Sequence, residues 1–469
     1  MRDRSPVRGA AHPMWGATVL RCAVVCAVCL IAATAQAAAT PPADATHWVL
    51  LRDHVTGGRW YEVLLIDPAT GQVSVRHDGL RESLNLADVL AIVSKSAVSA
   101  GATGRVVVMQ PSSEERATGR FDHVDAGEAG TGAAATIAKA VLETVDGVRL
   151  FGSPVHVSGA DERNGEGGDV GGRSSGSFRW KHDLLGIVSM DLASIARVRL
   201  QPSVAWPDIV TADGIQLDVL RLSNGDVISG FVDGWADPVP VETADGRRIE
   251  VAFDRIGAIR FGNARMRPSG VQLWLASGEV LPCDRVTALD RDAFRVMLLP
   301  GHACSLARSE VQAVVFDSGS FVGLADLALM GVESDGGEVD GSGVSVSGPP
   351  LATPVLINPG MPAGLSSVEI HGPGVFRFRL PAGATRFACE VEVPASARLW
   401  ADLDLIIGTG RAQDAHRVHI SADRSLTSID VPLSDDGSGS FVIGIEPAGR
   451  GPILDVVQLR FARVLVGGE

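Results

Sequence analysis

The chain has 469 residues, 46% of them hydrophobic and 20% charged, which predicts several folded units with real cores and excludes both a single small module and a wholly disordered chain. A net charge of −14 excludes general electrostatic attraction to nucleic acid or anionic lipid, so neither is an expected partner. Only 5% of residues are aromatic, while 54 are glycine and 25 proline, a composition of short strands and turns.

Arg2, Arg4, Arg8 and Arg21 precede an apolar run from Cys22 to about Ala35, and Ala35-Gln36-Ala37 supplies the small residues of a cleavage site. Residues 1–37 therefore read as a signal peptide. The apolar run falls short of the roughly 20 residues that span a bilayer, so no membrane span is expected after cleavage. No small residue precedes Cys22, Cys26 or Cys29, which argues against a lipid anchor. The expected location is the periplasm, the cell surface or the extracellular space. The exported chain keeps Cys283, Cys304 and Cys389 in a compartment where disulfides form. Cys283 and Cys304 flank one hairpin region and are a candidate disulfide; the alternative is three small buried hydrophobes.

Four segments share an ending. Leu86, Val89 and Ile92 are spaced three and three, as are Leu192, Ile195 and Val198, and Phe253, Ile256 and Ile259; Val311, Val314 and Phe316 repeat the close of the pattern. Such spacing predicts a short 3₁₀ turn running into a strand. Leu222-Ser223-Asn224-Gly225-Asp226-Val227 and Leu275-Ala276-Ser277-Gly278-Glu279-Val280 both read as a hairpin opening. Strand-rich units are expected at 47–95, 105–200, 216–262 and 270–317, the second interrupted by a glycine-rich insert at 127–177 with an alanine-rich, helix-like stretch at 133–142. The units resemble tandem SH3-like small barrels ahead of sugar-binding modules in bacterial secreted proteins. One continuous β-sandwich is the alternative.

A lead-in and glycine-rich linker at 318–350 sets a boundary. Beyond it, Phe376-Arg377-Phe378-Arg379-Leu380 alternates strictly, and six further strand-like runs follow, so residues 351–469 are expected to form a β-sandwich. The runs Val368-Glu369-Ile370-His371, Phe376 to Leu380, Arg386-Phe387 and Val391-Glu392-Val393, with Asp455 and the strand Val457 to Val464, resemble the NPCBM-type carbohydrate-binding module found with glycoside hydrolase family 98. That resemblance implies an all-β jelly roll of the galactose-binding-like kind and a polysaccharide or glycan partner. The chain departs from the family at Glu369, Pro394, Gln458 and Leu459, positions that bear on the sugar site.

Sugar recognition needs an aromatic face and fixed polar groups. Trp400 is the sole tryptophan of this module and precedes Asp402 and Asp404 on one strand face, making these three the candidate carbohydrate-binding residues, with His371, Arg377 and Arg379 beside them. The alternative packs Trp400 at an end of the sandwich, mostly buried. His416 and His419 have a metal-pair spacing but would face opposite sides of a strand. Asp435-Asp436-Gly437 offers oxygen ligands for calcium, or a plain turn; no other cofactor is expected. Phe316-Asp317-Ser318-Gly319-Ser320 resembles an aspartic-protease loop, yet a second copy is absent from the sequence and that chemistry needs two carboxylates. Phosphate-loop, zinc-protease and nucleophile-elbow motifs are also absent. The expected function is an exported, non-enzymatic carbohydrate-binding or cell-envelope interaction protein. The alternative is an envelope adaptor whose sugar site has degenerated, or an accessory to a glycan-acting hydrolase.

Overall fold

The computed structural model describes residues 47–52, 59–67, 70–95, 106–109, 139–155, 178–208, 210–212, 215–289, 293–299, 301–333, 353–357, 361–409, 415–433, 439–449 and 455–467. Residues 1–37, expected to be a signal peptide, lie outside them, as do residues 127–138 and 156–177 of the expected glycine-rich insert and residues 334–350 of the expected linker.

The repeated ending is a closure device. Strands β1–β5 (His47–Leu51, Arg59–Asp67, Gln72–His77, Leu80–Asn85, Val89–Ser94) pair in sequence up to β4, and β1 then pairs with β5. A 3₁₀ turn at Leu86–Asp88 delivers the chain into β5, its start capped by Asn85, whose side-chain oxygen accepts from the Ala87 amide at 3.2 Å. After β6 (Val106–Val108), the strands β7–β11 (Ala140–Thr144, Arg149–Pro154, Phe178–His182, Gly186–Met190, Ile195–Arg199) repeat this topology, with Asp191 capping the turn at 3.0 Å from the Ala193 amide. It recurs, after β12 (Val210–Ala212), in β13–β17 (Ile215–Leu222, Val227–Val232, Val239–Thr243, Arg248–Val251, Ile256–Arg260). The last copy is β18–β22 (Val271–Leu275, Val280–Leu289, Ala293–Leu298, His302–Ala307, Val311–Val315). Gly225 and Gly278 sit in the first hairpins of the third and fourth copies at φ 91° and 90°, the left-handed region that favours glycine.

The closing strands also join the four units in pairs. β5 runs antiparallel to β22 with Ile92 opposite Val314, and β11 to β17 with Val198 opposite Ile259. These four residues occupy equivalent positions, so each pair has a local two-fold arrangement. Around the first pair the flanking positions are apolar. Leu50, Leu90, Ala91, Val93, Ala313 and Val315 pack with Phe321, Met361, Leu365, Phe461 and Leu465 of the following domain. Around the second pair three of the four, Arg197, Arg199 and Arg260, are arginines, and the fourth is Ala258. Arg197 and Arg260 face one another and both are buried. The Glu143 carboxylate accepts from Arg197 Nε at 2.7 Å, from its Nη2 at 3.0 Å and from Arg149 Nε at 2.8 Å. The Arg197 guanidinium also lies 4.3 Å over the Trp206 ring.

The remaining strands form a two-sheet sandwich: β23 (Phe321–Gly323), β24 (Leu329–Glu333), β25 (Val355–Ile357), β26 (Ser367–His371), β27 (Gly374–Arg379), β28 (Ala384–Glu392), β29 (Asp402–Thr409), β30 (His416–Ser421), β31 (Leu426–Pro432), β32 (Ser440–Pro447) and β33 (Val456–Val466). One sheet has the order β31-β28-β33-β26-β25-β6, with β23 also on β33; the other runs β24-β27-β32-β29-β30. Phe376, Phe378, Phe387, Leu403, Leu405, Phe441 and Ile443 fill the space between them at 0% exposure.

Four expectations are corrected. Residues 105–200 are not one unit: β6 leaves to pair with β25, Val108 opposite Val355, and the second barrel begins at Ala140. The helix-like stretch 133–142 overlaps β7, and the insert span 127–177 contains both β7 and β8. Ladder pairing of β7 with β8 and β11 outweighs alanine's helical preference. Residues 318–350 are more than a lead-in, because β23 and β24 are sandwich strands. Finally, Cys283, Cys304 and Cys389 are free thiols. Cys283 on β19 and Cys304 on β21 are separated by β20, two strand spacings or about 9–10 Å, beyond the ~7 Å reach of a disulfide between Cα atoms. Burial pushes the Cys283 thiol up to about 11.

Candidate functional site

The connection from β28 to β29 is a tight coil in which Trp400 and Ala401 both donate their amides to the Ala397 carbonyl, at 2.9 and 3.1 Å. Ala397 and Ala401 are buried in the sandwich core. Anchoring the two small residues turns Leu399 and Trp400 outward, and Trp400 is 53% exposed. That exposure disagrees with the alternative of a mostly buried tryptophan at the sandwich end.

Asp402 and Asp404 follow on β29, on its outer face, since Leu403 and Leu405 between them are wholly buried. Cross-strand register puts Asp404 opposite His419 on β30 and Glu446 on β32. His419 Nδ1 lies 3.0 Å from one Asp404 oxygen and Arg417 Nη1 3.0 Å from the other; Arg417 also bridges to Glu446 at 2.7 Å. Partial burial works against the Asp404 anion, but the bonds from Arg417 and His419 win and hold its carboxyl below the usual value. The result is a charged patch beside an exposed indole. His416 pairs with Ile407 and points away from His419's side of the sheet. Among the described residues no group of three or more metal-ligating side chains occurs. Asp435-Asp436-Gly437 lies outside the described residues.

The other candidates are elsewhere. His371 is on the outer face of the opposite sheet, its Nε2 2.9 Å from Glu369 Oε1, with Gln458 bonded to the other Glu369 oxygen at 2.9 Å. Arg377 shares a sheet with Asp404 but pairs with Val442, four residues along β32 from Glu446, roughly 13 Å away. Arg379 is exposed one alternation further on. Asp317, from the protease-like motif, accepts from Arg52 at 2.7 Å and from Ser320, and thereby fastens a turn.

The sequence reading gave no role to Asp455, at the mouth of β33. It is 3% exposed, and neither carboxylate oxygen has a hydrogen-bond partner. Burial, and then the facing charge of Asp402, push its carboxyl up to about 6. Its carbonyl accepts from the Gly372 amide at 2.7 Å. A Cβ on Gly372 would stand 2.3 Å from Ile445 Cγ2 and 3.4 Å from the Asp455 Cβ, so the close approach requires glycine.

No family model and no curated protein matches the chain. Among solved structures it is similar to a CBM51 module from Clostridium perfringens GH95 in complex with methyl-galactose, at 13% identity over 21% of this chain and 69% of that one, TM-score 0.18. It is also similar to the tandem CBM51 modules of Sp3GH98, the family 98 glycoside hydrolase of Streptococcus pneumoniae, at 14% identity over 54% and 71%, TM-score 0.21. A third is the CBM51-2 and INT pair from Clostridium perfringens ZmpB in complex with GlcNAc, at 12% identity over 41% and 42%, TM-score 0.23. Likeness at this level decides nothing about ligand or site, and the all-β sandwich rests on its own strand pairings. No helix among the described residues is long and apolar enough to cross a membrane.

Proposed function

We propose that this is an exported, non-enzymatic glycan-binding protein of the cell envelope or its surroundings. The sandwich makes the contact, and the four small SH3-like barrels serve as spacer or interaction units. The observation that supports this reading is the exposed Trp400, held outward by buried Ala397 and Ala401, two residues ahead of Asp402. An indole face covers the apolar side of a pyranose, and neighbouring carboxylates accept from its hydroxyls.

Affinity electrophoresis of the full chain against a polysaccharide panel tests this, because a fragment confined to 351–469 would lack β6, β23 and β24. At least one glycan is expected to retard the protein, and Trp400→Ala is expected to weaken that retardation tenfold or more while thermal unfolding stays unchanged. No retardation by any glycan, or equal retardation of the variant, would overturn it. A stable partner captured from an envelope fraction and not displaced by sugars would point instead to the adaptor.

A further inference from the structure

We propose that copies of this chain join head to tail, the opening hairpin of the third barrel in one copy docking at the end of β3 in the first barrel of the next; this stands independently of the glycan reading. The contact has a precedent inside the chain, between the fourth barrel and the second. There the opening hairpin of the fourth barrel reaches β8 and β9, with Val280 opposite Arg149 and only 1% exposed. Glu279 beside it accepts from the Phe151 amide at 3.1 Å and meets His182 Nε2 at 2.8 Å. The His182 side chain is 1% exposed. Its Nδ1 accepts from the Leu184 and Leu185 amides, both at 3.1 Å, so Nε2 carries the proton donated to Glu279.

Both halves of that contact occur a second time, on surfaces open to solvent. In the third barrel Asn224-Gly225-Asp226-Val227 takes the place of Ser277-Gly278-Glu279-Val280. Asn224 Nδ2 donates to Asp226 Oδ2 at 2.6 Å, as the Ser277 hydroxyl does to Glu279 Oε2 at 2.9 Å. Yet Asp226 is exposed, and Val227 is 51% exposed where Val280 is covered. In the first barrel the third strand ends at His77 and Asp78 follows, as β9 ends at His182 before Asp183. The His77 side chain keeps 30% of its surface and that of Asp78 keeps 74%. Because the first barrel is paired with the fourth and the second with the third, the step from fourth to second, taken again, leads from the third barrel to the first barrel of another copy. A contact between two different surfaces leaves one of each at the ends of an assembly, and builds a ring where the rotation closes and a filament where it does not. If the sandwich binds a polysaccharide, such a row multiplies its hold on one polymer.

Sedimentation velocity of the full chain over a concentration series tests the assignment. The average mass is expected to rise with concentration. Asp226→Lys, which spoils the hairpin, and His77→Glu, which spoils the receiving end, are each expected to stay at monomer mass with unchanged thermal unfolding. An equal mixture of the two keeps one good hairpin and one good receiving end, and is expected to stop at twice the monomer mass. If His77→Glu does not fold, an excess of Asp226→Lys decides, since its intact first barrel caps wild-type assemblies and reduces them to dimers. A wild-type chain that stays monomeric throughout overturns the proposal. So does association of the folded variants equal to wild type, or a mixture that shows no dimer.

Discussion

Replacing Glu143 by glutamine removes the carboxylate on which the arginines between the second and third barrels converge. Glu143 and Arg197 are both buried, and the pair is joined by bonds of 2.7 and 3.0 Å, with Arg149 at 2.8 Å and Arg265 at 3.8 Å. Removing one partner of a buried ion pair costs about 3–5 kcal/mol, because the remaining charge stays desolvated. Glutamine keeps one carbonyl acceptor, so the expected loss for Glu143→Gln is at the lower end, about 3 kcal/mol. Arg76→Ala is the control: its partner Glu62 is 2.5 Å away in a pair that is partly exposed, and pairs of this kind contribute at most about 1 kcal/mol. Urea unfolding followed by tryptophan fluorescence gives the magnitude, and hydrogen exchange on β7 and β11 gives the location. The pH dependence has a definite sign. Burial alone would raise the Glu143 carboxyl, but Arg197, Arg149 and Arg265 hold it well below the usual range. Its contribution is therefore complete above the unfolded value of about 4.3 and is lost only as pH falls through the lower folded value. A loss no larger than that of Arg76→Ala would refute the reasoning.

Glu390 shows the opposite behaviour. Burial pushes its carboxyl from 4.5 up to about 7, so the folded state binds the extra proton and stability declines as pH rises between those values. Glu390→Gln is expected to abolish that decline, worth about 3 kcal/mol at pH 8 by linkage; parallel stability profiles for the two proteins between pH 4.5 and 8 would contradict it. Gly323→Ala is expected to cost about 2–3 kcal/mol, since its Cβ would fall 2.0 Å from the Gly364 carbonyl oxygen. Thermal melts check this, with Gly225→Ala as a comparison whose added Cβ meets nothing within 4 Å and whose strain comes only from its positive φ.

The 3₁₀-to-strand passage shows in the residue pattern because it is local: a cap, a three-residue turn and a strand place apolar side chains at fixed offsets. The second barrel's opening was obscured by the alanine-rich stretch running into Val141-Leu142. The usable signal was Asp146-Gly147, with Gly147 at φ 86°, matching Asn224-Gly225 and Ser277-Gly278. The pairing of β6 with β25 had no such cue, since it spans almost 250 residues of chain. Alternation alone put Asp402 and Asp404 on one face behind Trp400. It could not reveal that His371 belongs to the opposite sheet, nor that Asp455 is sealed in by a turn more than 80 residues earlier in the chain.

The barrels pair first with fourth and second with third, a nested arrangement like matched brackets. For a chain that emerges from its amino end, this sets an order of assembly. The inner pair can close as soon as Arg260 has appeared, whereas the first barrel must wait for β22 to cover its closing strand. The sandwich waits longer still, because β33, which follows all four units in the chain, joins β23, β26 and β28. The segment bearing Trp400, which follows directly on β28, thus acquires its scaffold only once β33 has emerged to pair with that strand.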